Sequence, residues 1–229
     1  MSFQADGYAM RSIFPAARIT ALQDEISRYI DRIAKAMHMP FERSEPHLPL
    51  AERLDAIAAH DRSYANLLRT AVCTDAHRAK VFAELAGDGS ILSNVQEFMG
   101  REPEGSIVRL RANIPGLPGQ RQRWHSDVAR DDGTTCSQVK VTCWLPLMDA
   151  GPDSGGLEIV RGRQPLPFEH KEGVAKFEIP DAELAALPKV KPVCPAGTAL
   201  FLDRFTPHRA LPNVSGKARW SLVMWFRAP

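Results

Sequence analysis

A histidine and an aspartate stand two positions apart in the segment RQRWHSDVAR, residues 121–130. On an extended strand, residues i and i+2 point to the same side, so the side chains of His125 and Asp127 can both face one interior. An imidazole and a carboxylate are ligands for a divalent metal ion, which then needs further ligands from elsewhere in the chain. Taken alone, the pair also fits two solvated polar residues on a strand, because such pairs arise by chance.

A second histidine, His208, supplies a third candidate ligand. It lies in DRFTPHRALPN, 81 residues after Asp127, where a loop follows the apolar segment GTALFLD. Two histidines and one carboxylate on one side of an octahedral ion form the facial triad of non-haem Fe(II) oxygenases, which leaves three positions open for co-substrate and dioxygen. The same set suits a catalytic zinc ion, although zinc offers no redox chemistry and the chain has no HExxH motif.

A competing pair, His170 and Glu172 in FEHKEGV, also has a histidine and a carboxylate two positions apart. Only 38 residues separate His170 from His208, which is few for the strands and turns that must intervene. We therefore expect His170 and Glu172 to form a surface pair.

An arginine and a serine that share a strand face, Arg219 and Ser221, stand in KARWSL shortly after His208. A guanidinium binds a carboxylate in bidentate fashion, and a neighbouring hydroxyl adds one hydrogen bond. A buried carboxylate receptor beside a metal suggests a small dicarboxylate that also chelates the metal. We expect the other large side chains of this strand in the core: Trp220, Met224 and Trp225.

Two further arginines alternate with apolar residues in SIVRLRANI, residues 106–114. Arg109 and Arg111 share a strand face with Asn113, and they are either solvated or directed into the pocket. An arginine that faces a barrel interior needs a partner. A substrate that carries a carboxylate or another anion is one such partner, so both arginines are candidate substrate residues.

The elements that must position these residues change character along the chain. After Thr20, apolar residues recur every three or four positions as far as Met37, which predicts an amphipathic helix, and two more helices are expected near 50–71 and 74–86. From about residue 105, apolar and polar residues alternate in short segments between Gly/Pro turns. These segments are SIVRLRANI, QVKVTCWLPL, GTALFLD and RWSLVMWF. The pattern predicts an antiparallel double sheet, a sandwich or barrel, with helices over one outer face.

The bulk composition fits one globular domain. The chain has 229 residues, 44% of them hydrophobic, and a formal net charge of +2. This charge gives no argument for a nucleic-acid footprint or an acidic tail, and no apolar run is long enough to cross a bilayer. With no signal-peptide pattern and no CxxC spacing, we expect a cytoplasmic protein with free thiols. The expected single domain, 1–229, has mostly helical support over about 1–104 and a β core over about 105–229.

Several segments together resemble the phytanoyl-CoA dioxygenase-like (PhyH) branch of the Fe(II)/2-oxoglutarate-dependent oxygenases. The resemblance covers nearly the whole chain, and each fragment is loose alone but specific in this order and spacing. The segments are FQADGYAM, WHSD, VTCWLPLMDAGPDSGGLEIVRGRQ and HRALPNVSGKARWSL. The resemblance implies a mainly β fold with N-terminal helices and a double-stranded β-helix core of the jelly-roll, cupin-like type.

The resemblance also implies roles for particular residues. The iron ligands would be His125, Asp127 and His208. Arg219 would pair with the distal carboxylate of 2-oxoglutarate, with assistance from Ser221, and Trp144 would lie near the co-substrate. Because position 127 is an aspartate, the carboxylate that related halogenases lack is present, and halogenation is disfavoured. One departure is RGRQ at 161–164, where relatives have Pro-Gly-Ser-His; its two arginines would bear on substrate or on a surface contact.

We therefore expect an Fe(II)/2-oxoglutarate-dependent dioxygenase that uses O2 and hydroxylates an unactivated C–H bond of a small molecule, with release of succinate and CO2. Two alternatives stay open. A cupin-like zinc or manganese hydrolase or isomerase would not need Arg219 or 2-oxoglutarate. A non-catalytic β-helix binding protein would be expected to have lost one of the three ligands. Nothing in the residues selects a substrate, an outcome other than hydroxylation, or an oligomeric state.

Overall fold

Helices precede strands along the chain. The computed structural model describes residues 2–76, 79–117, 123–128, 138–170 and 178–228. The helices are α1 (Phe3–Asp6), α2 (Ala16–Ala36), α3 (Leu50–His60), α4 (Arg62–Asp75), α5 (Lys80–Ala83) and α6 (Gly89–Met99). The strands are β1 (Tyr8–Ser12), β2 (Gly105–Asn113), β3 (Val139–Pro146), β4 (Leu157–Val160), β5 (Lys189–Val190), β6 (Thr198–Asp203), β7 (His208–Ala210) and β8 (Arg219–Arg227). Short 3-10 helices span Phe41–Ser44, Glu84–Gly87 and Asp181–Leu184.

Two antiparallel sheets form the β part. The larger has the strand order β1-β6-β3-β8-β2, and the smaller has the order β5-β4-β7. Side chains alternate between the two faces of each strand, and one set packs in the space between the sheets. This inner cluster contains Tyr8, Trp144, Leu157, Ile159, Leu200 and Leu202.

The helices cover the outer face of the five-stranded sheet, as the alternation predicts. On α2, Leu22, Ile26 and Ile30 are fully buried and belong to the same apolar cluster as Cys143 and Phe201 of the sheet. Burying a side chain of this size contributes about 1.5–3 kcal/mol. Helices and sheet therefore share one apolar core, and the opposite face of the sheet is left to line the site.

Three predicted helices differ from the structure. In place of the one expected near 74–86, the described residues form the end of α4, the short helix α5 and the 3-10 helix Glu84–Gly87. Helix α2 begins at Ala16, before Thr20, and the hydroxyl of Thr20 donates to the carbonyl of Ala16 within the helix at 3.1 Å. The helix expected over 50–71 is divided at Asp61, whose carboxylate accepts from the backbone N–H of Tyr64 at 2.9 Å and so caps a new helix, α4.

None of the helices in the described ranges combines the length and the apolar character that a membrane crossing requires.

Candidate metal centre and active site

The three candidate metal ligands meet at one point between the sheets. One side-chain ligand atom from each of His125, Asp127 and His208 lies within 4.8 Å of the others. The backbones of the two histidines pair directly: the N–H of His125 donates to the carbonyl of His208 at 3.1 Å, and the reverse bond measures 2.8 Å. Asp127 follows His125 by two residues and lies on the same side. The structure thus brings together all three residues that the sequence pattern singled out.

Backbone hydrogen bonds hold both imidazoles in the tautomer that leaves Nε2 available to a metal ion. The Nδ1 of His125 lies 2.8 Å from the carbonyl of Arg123, and the Nδ1 of His208 lies 3.0 Å from the carbonyl of Thr206. Because a carbonyl oxygen can only accept, each Nδ1 carries the proton. The lone pair of each Nε2 is therefore available for coordination.

The carboxylate of Asp127 is oriented by two neighbours from the larger sheet. The indole Nε1 of Trp225 donates to Oδ1 at 2.8 Å, and the hydroxyl of Thr142 donates to Oδ2 at 2.6 Å. Trp225 therefore faces the site and not the core, in contrast to the expectation, whereas Trp220 and Met224 are fully buried in the core. The sequence analysis did not place Trp225 or Thr142 in the site. Strand alternation could have identified both, because Trp225 shares the strand face of Arg219 and Thr142 shares that of Trp144.

The protonation states at this centre suit a divalent ion. Desolvation raises the pKa of Asp127, but the charges of His208 and His125 and the two hydrogen bonds outweigh it, and the pKa is lowered overall. Burial lowers the pKa of His125 to about 4, and the neighbouring His208 adds to the effect. An ionised carboxylate and a neutral imidazole are the forms that bind metal. The donor set therefore fits Fe(II) or a similar ion.

A buried arginine lines the same cavity. Arg219 is 6% exposed, its Nη1 donates to the hydroxyl of Ser221, and its guanidinium lies 5.4 Å from the ring centroid of Trp144. Burial lowers the pKa of Arg219 to about 10, so it stays charged at neutral pH. Its Nε has no hydrogen-bond partner within the described part of the chain. A buried charge with a free donor calls for an anion.

A cavity of about 180 Å³ joins the metal-ligand trio to this arginine. Arg111 lines it, whereas Arg109 does not, although both arginines are exposed; the Nη1 of Arg109 donates to the carbonyl of Val108 at 3.1 Å. Helix α4 contributes Arg69 and Cys73 to the cavity wall, which sequence reasoning missed. No local pattern marks these two residues, since their position depends on how α4 packs against β2.

His170 lies next to the metal ligands instead of on the open surface. It is half-buried, and its Nε2 accepts from the backbone N–H of Ser126 at 3.1 Å. Ser126 stands between His125 and Asp127, so His170 supports the segment that carries both. Glu172, its expected partner, lies outside the described residues.

The N-terminal motif FQADGYAM, residues 3–10, supports the loop that carries His208. The carbonyl of Gly7 accepts from the hydroxyl of Thr206 at 2.8 Å and from the N–H of Asp203 at 2.9 Å. Gly7 has a φ of 76°, and a Cβ there would lie 2.8 Å from the Oγ1 of Thr206. Only glycine fits this close approach without strain. Because the carbonyl of Thr206 holds the ring of His208, the motif acts on a metal ligand through one intermediate residue.

The segment RGRQ, which differs from the Pro-Gly-Ser-His of relatives, contacts the first residues of the chain through its two arginines. The Nε of Arg161 lies 2.9 Å from a carboxylate oxygen of Asp6, and the Nε of Arg163 lies 3.5 Å from one of Asp203. The backbone N–H of Arg163 donates to the carbonyl of Ala5 at 3.1 Å. Of the two roles considered for this segment, the contacts favour a surface contact within the chain.

The sequence and the fold were compared with known proteins. The family profile described as phytanoyl-CoA dioxygenase (PhyH) matches residues 3–221. No curated protein sequence matches the chain.

Several solved structures share the fold. The epimerase SnoN in complex with Fe3+, alpha ketoglutarate and nogalamycin RO is 16% identical, with a TM-score of 0.63 over 98% of this chain and 80% of that one. AviO1 from Streptomyces viridochromogenes Tue57 is 20% identical, with a TM-score of 0.62 over 99% and 92%. EctD from S. alaskensis with 2-oxoglutarate and 5-hydroxyectoine is 18% identical, with a TM-score of 0.62 over 99% and 73%. The expected double-stranded β-helix with N-terminal helices is confirmed.

Proposed function

The chain belongs to the phytanoyl-CoA dioxygenase (PhyH) family of non-haem Fe(II)/2-oxoglutarate-dependent oxygenases, and on this premise we propose that it hydroxylates an unactivated C–H bond of a small molecule. The observation that carries the proposal is one cavity lined both by a two-histidine, one-carboxylate set and by a buried arginine with a free donor. When bound, iron and 2-oxoglutarate supply the oxidising power, with O2 as oxidant and succinate and CO2 as products.

The residues proposed to hold iron are His125, Asp127 and His208. Each imidazole offers the lone pair of Nε2, because its Nδ1–H donates a hydrogen bond to a backbone carbonyl. The carboxylate of Asp127 keeps its orientation through its two hydrogen-bond donors, and such outer contacts typically change metal affinity 10–100-fold. With a carboxylate at position 127, no coordination position is left open for a halide in its place.

The co-substrate is proposed to bind through Arg219, Ser221 and Trp144. The guanidinium of Arg219 is buried and charged, so a carboxylate that pairs with it would offset the cost of burying the charge. Ser221 already accepts a hydrogen bond from Arg219, and its hydroxyl hydrogen is free to donate to the same carboxylate. The ring of Trp144 covers one face of the guanidinium and limits access of water.

The two alternative functions explain less of this cavity. A zinc or manganese hydrolase or isomerase leaves the buried Arg219 without a partner, which is costly. A non-catalytic binding protein has no need to retain all three ligand residues in coordinating geometry. A metal ion and a dicarboxylate together would give binding partners both to the three ligand residues and to Arg219.

The first test is the anaerobic addition of Fe(II) and then 2-oxoglutarate to purified apoprotein, while the weak visible charge-transfer band of the chelate is followed. We expect the band in the wild type and in the control Arg109→Gln, because Arg109 does not line the cavity. His125→Ala should abolish the band. Arg219→Gln should require about 10–100 times more 2-oxoglutarate, because a charge-assisted pair is lost.

A wild type that shows no band while zinc or manganese binds tightly would contradict the oxygenase function. Once the band is established, small molecules are screened by succinate release. Hydroxylation itself requires a product that is heavier than the substrate by one oxygen atom. Succinate release with a product of another mass would retain the enzyme class and reject hydroxylation.

A further inference from the structure

Two arginines line the cavity beyond those that the proposed chemistry uses. Arg111 extends from β2, opposite Ser221 of β8, and Arg69 extends from α4. Cys73 lies one helical turn after Arg69 and lines the same cavity. Arg69, Arg111 and Arg219 all line this one cavity, together with Cys73.

Among the residues that the structure describes, neither extra arginine has an acidic partner; Arg69 is half-buried and Arg111 is exposed. Arg69 donates only to neutral oxygens, to Asn66 at 2.9 and 3.1 Å and to Thr70 at 3.3 Å. Within the described ranges, Arg111 forms no ion pair or hydrogen bond. Like charges that converge without a counter-charge repel each other, and an anion between them removes the repulsion.

A count of formal charges shows that the co-substrate does not satisfy these arginines. The metal carries two positive charges, Asp127 one negative charge and 2-oxoglutarate two. The remaining negative charge is balanced by Arg219 alone. Counted over the described lining residues, Arg69 and Arg111 therefore add two positive charges to a cavity that is otherwise neutral. A cavity with such an excess favours a second anionic occupant.

Resting on the proposed function, we propose that Arg69 and Arg111 form an anion subsite and that the substrate is a small molecule with a carboxylate, phosphate or related oxyanion group. The group is held at the wall between α4 and β2, and the rest of the molecule extends along the cavity toward the metal ligands. This subsite positions the C–H bond, and it selects acids over the corresponding neutral amides or esters.

The test uses the anaerobic complex of the protein with Fe(II) and 2-oxoglutarate, titrated calorimetrically with sulfate at constant ionic strength. Sulfate should bind the wild type, and its affinity should fall about tenfold or more in Arg69→Gln and in Arg111→Gln. The matched control is Arg109→Gln, which removes the same charge from the same strand face outside the cavity and should bind sulfate within twofold of the wild type. Acetate, titrated in parallel, tells whether one negative charge is enough for binding.

The charge-transfer band is recorded on every variant and separates this inference from the proposed function. In Arg69→Gln and Arg111→Gln, the 2-oxoglutarate concentration that half-develops the band should stay within threefold of wild type, which also reports a native fold. A tenfold increase would assign both arginines to the co-substrate and overturn the subsite. A normal band without arginine-dependent binding of either anion would overturn only the subsite. A wild type without a band would overturn the proposed function and the subsite together.

Discussion

At the scale of single residues, neighbouring groups set the tautomer or the orientation of each proposed metal ligand. Backbone carbonyls fix the tautomer of both histidines, while Thr142 and Trp225 hold the two oxygens of Asp127. All of these contacts come from the protein's own backbone and side chains, and together they orient the three proposed ligands. We infer that the donors to Asp127 matter for metal affinity almost as much as the ligands.

Replacement of either donor to Asp127 should weaken metal binding. Thr142→Val keeps the shape of the side chain but removes the hydroxyl, and Trp225→Phe removes the indole N–H. We expect a 10–100-fold loss of Mn(II) or Fe(II) affinity in each variant, measured by competition with a fluorescent chelator. Thr142→Ser keeps the donor and should retain wild-type affinity. Equal affinities in Thr142→Val and Thr142→Ser would show that the hydroxyl has no part in orienting the carboxylate.

The thiol of Cys73 should react slowly, although it lines the cavity. Burial raises its pKa to about 11 from the ordinary 9.0. At pH 8 the thiolate fraction is then about a hundredfold lower, and the greater nucleophilicity of a more basic thiolate recovers about tenfold of the rate. Because the protonated form persists until pH approaches 11, alkylation by iodoacetamide should accelerate continuously between pH 8 and 10.5. Peptide mass mapping of Cys73 against time measures this rate, and a plateau below pH 9.5 would contradict the raised pKa.

Much of the candidate site could be predicted from residue types and spacing. The His125–Asp127 and Arg219–Ser221 pairs were predicted because strand periodicity reports which side chains share a face, whereas His208 was predicted from its residue type and its place after GTALFLD. Arg69 and Cys73 could not be found in this way, because a helix pattern does not reveal which strand edge the helix covers. For the same reason, Arg109 and Arg111 looked equivalent in sequence, although only Arg111 reaches the cavity.

At the scale of elements, long strands were predictable and short ones were not. The expected strands at 106–114 and 219–226 correspond closely to β2 and β8, each nine residues long. Strand β7 has only three residues and β5 has two, which is too few for an alternating pattern to be recognised. Yet β7 carries His208, so a strand too short for a periodic pattern positions a proposed metal ligand.

The turn after α1 offers a test of how one element supports another. In Gly7→Ala, the added Cβ would lie 2.8 Å from the Oγ1 of Thr206 at a φ of 76°. We expect a loss of about 1–2 kcal/mol in the free energy of unfolding from the backbone alone. A displaced Thr206 also releases the ring of His208, so metal affinity should fall at least tenfold.

The matched control for this variant is Gly100→Ala, which caps helix α6. Its φ is 72°, but a Cβ there meets no atom within 4 Å. The stability loss should be similar, whereas metal affinity should be unchanged. Denaturant unfolding and chelator competition on both variants measure the two effects. If both variants lost metal affinity equally, the link from the N-terminal motif to His208 would be refuted.

At the scale of the whole molecule, the helical and β parts depend on each other. Apolar residues of α2 and α4 belong to the same core cluster as those of the larger sheet. We propose that residues 1–229 form one folding unit, because neither part can bury its apolar face alone.

This proposal predicts a single unfolding transition. All four tryptophans stand after residue 105, so their fluorescence reports the β part, while far-ultraviolet circular dichroism is dominated by the helices. Both signals should change at the same denaturant concentration. The fragment 1–104, expressed alone, should lack cooperative unfolding. Two separate midpoints would show two units and contradict the single domain.

The direct backbone pairing of His125 with His208 has a consequence for the energetics of the metal. The two ligands are 83 residues apart in the chain, and bringing such distant ends together costs about 4 kcal/mol of loop-closure entropy. Two main-chain hydrogen bonds have already closed this loop when the protein folds. The ion therefore acts by mass action on a finished site, and its removal should lower the melting temperature without dissolving the fold.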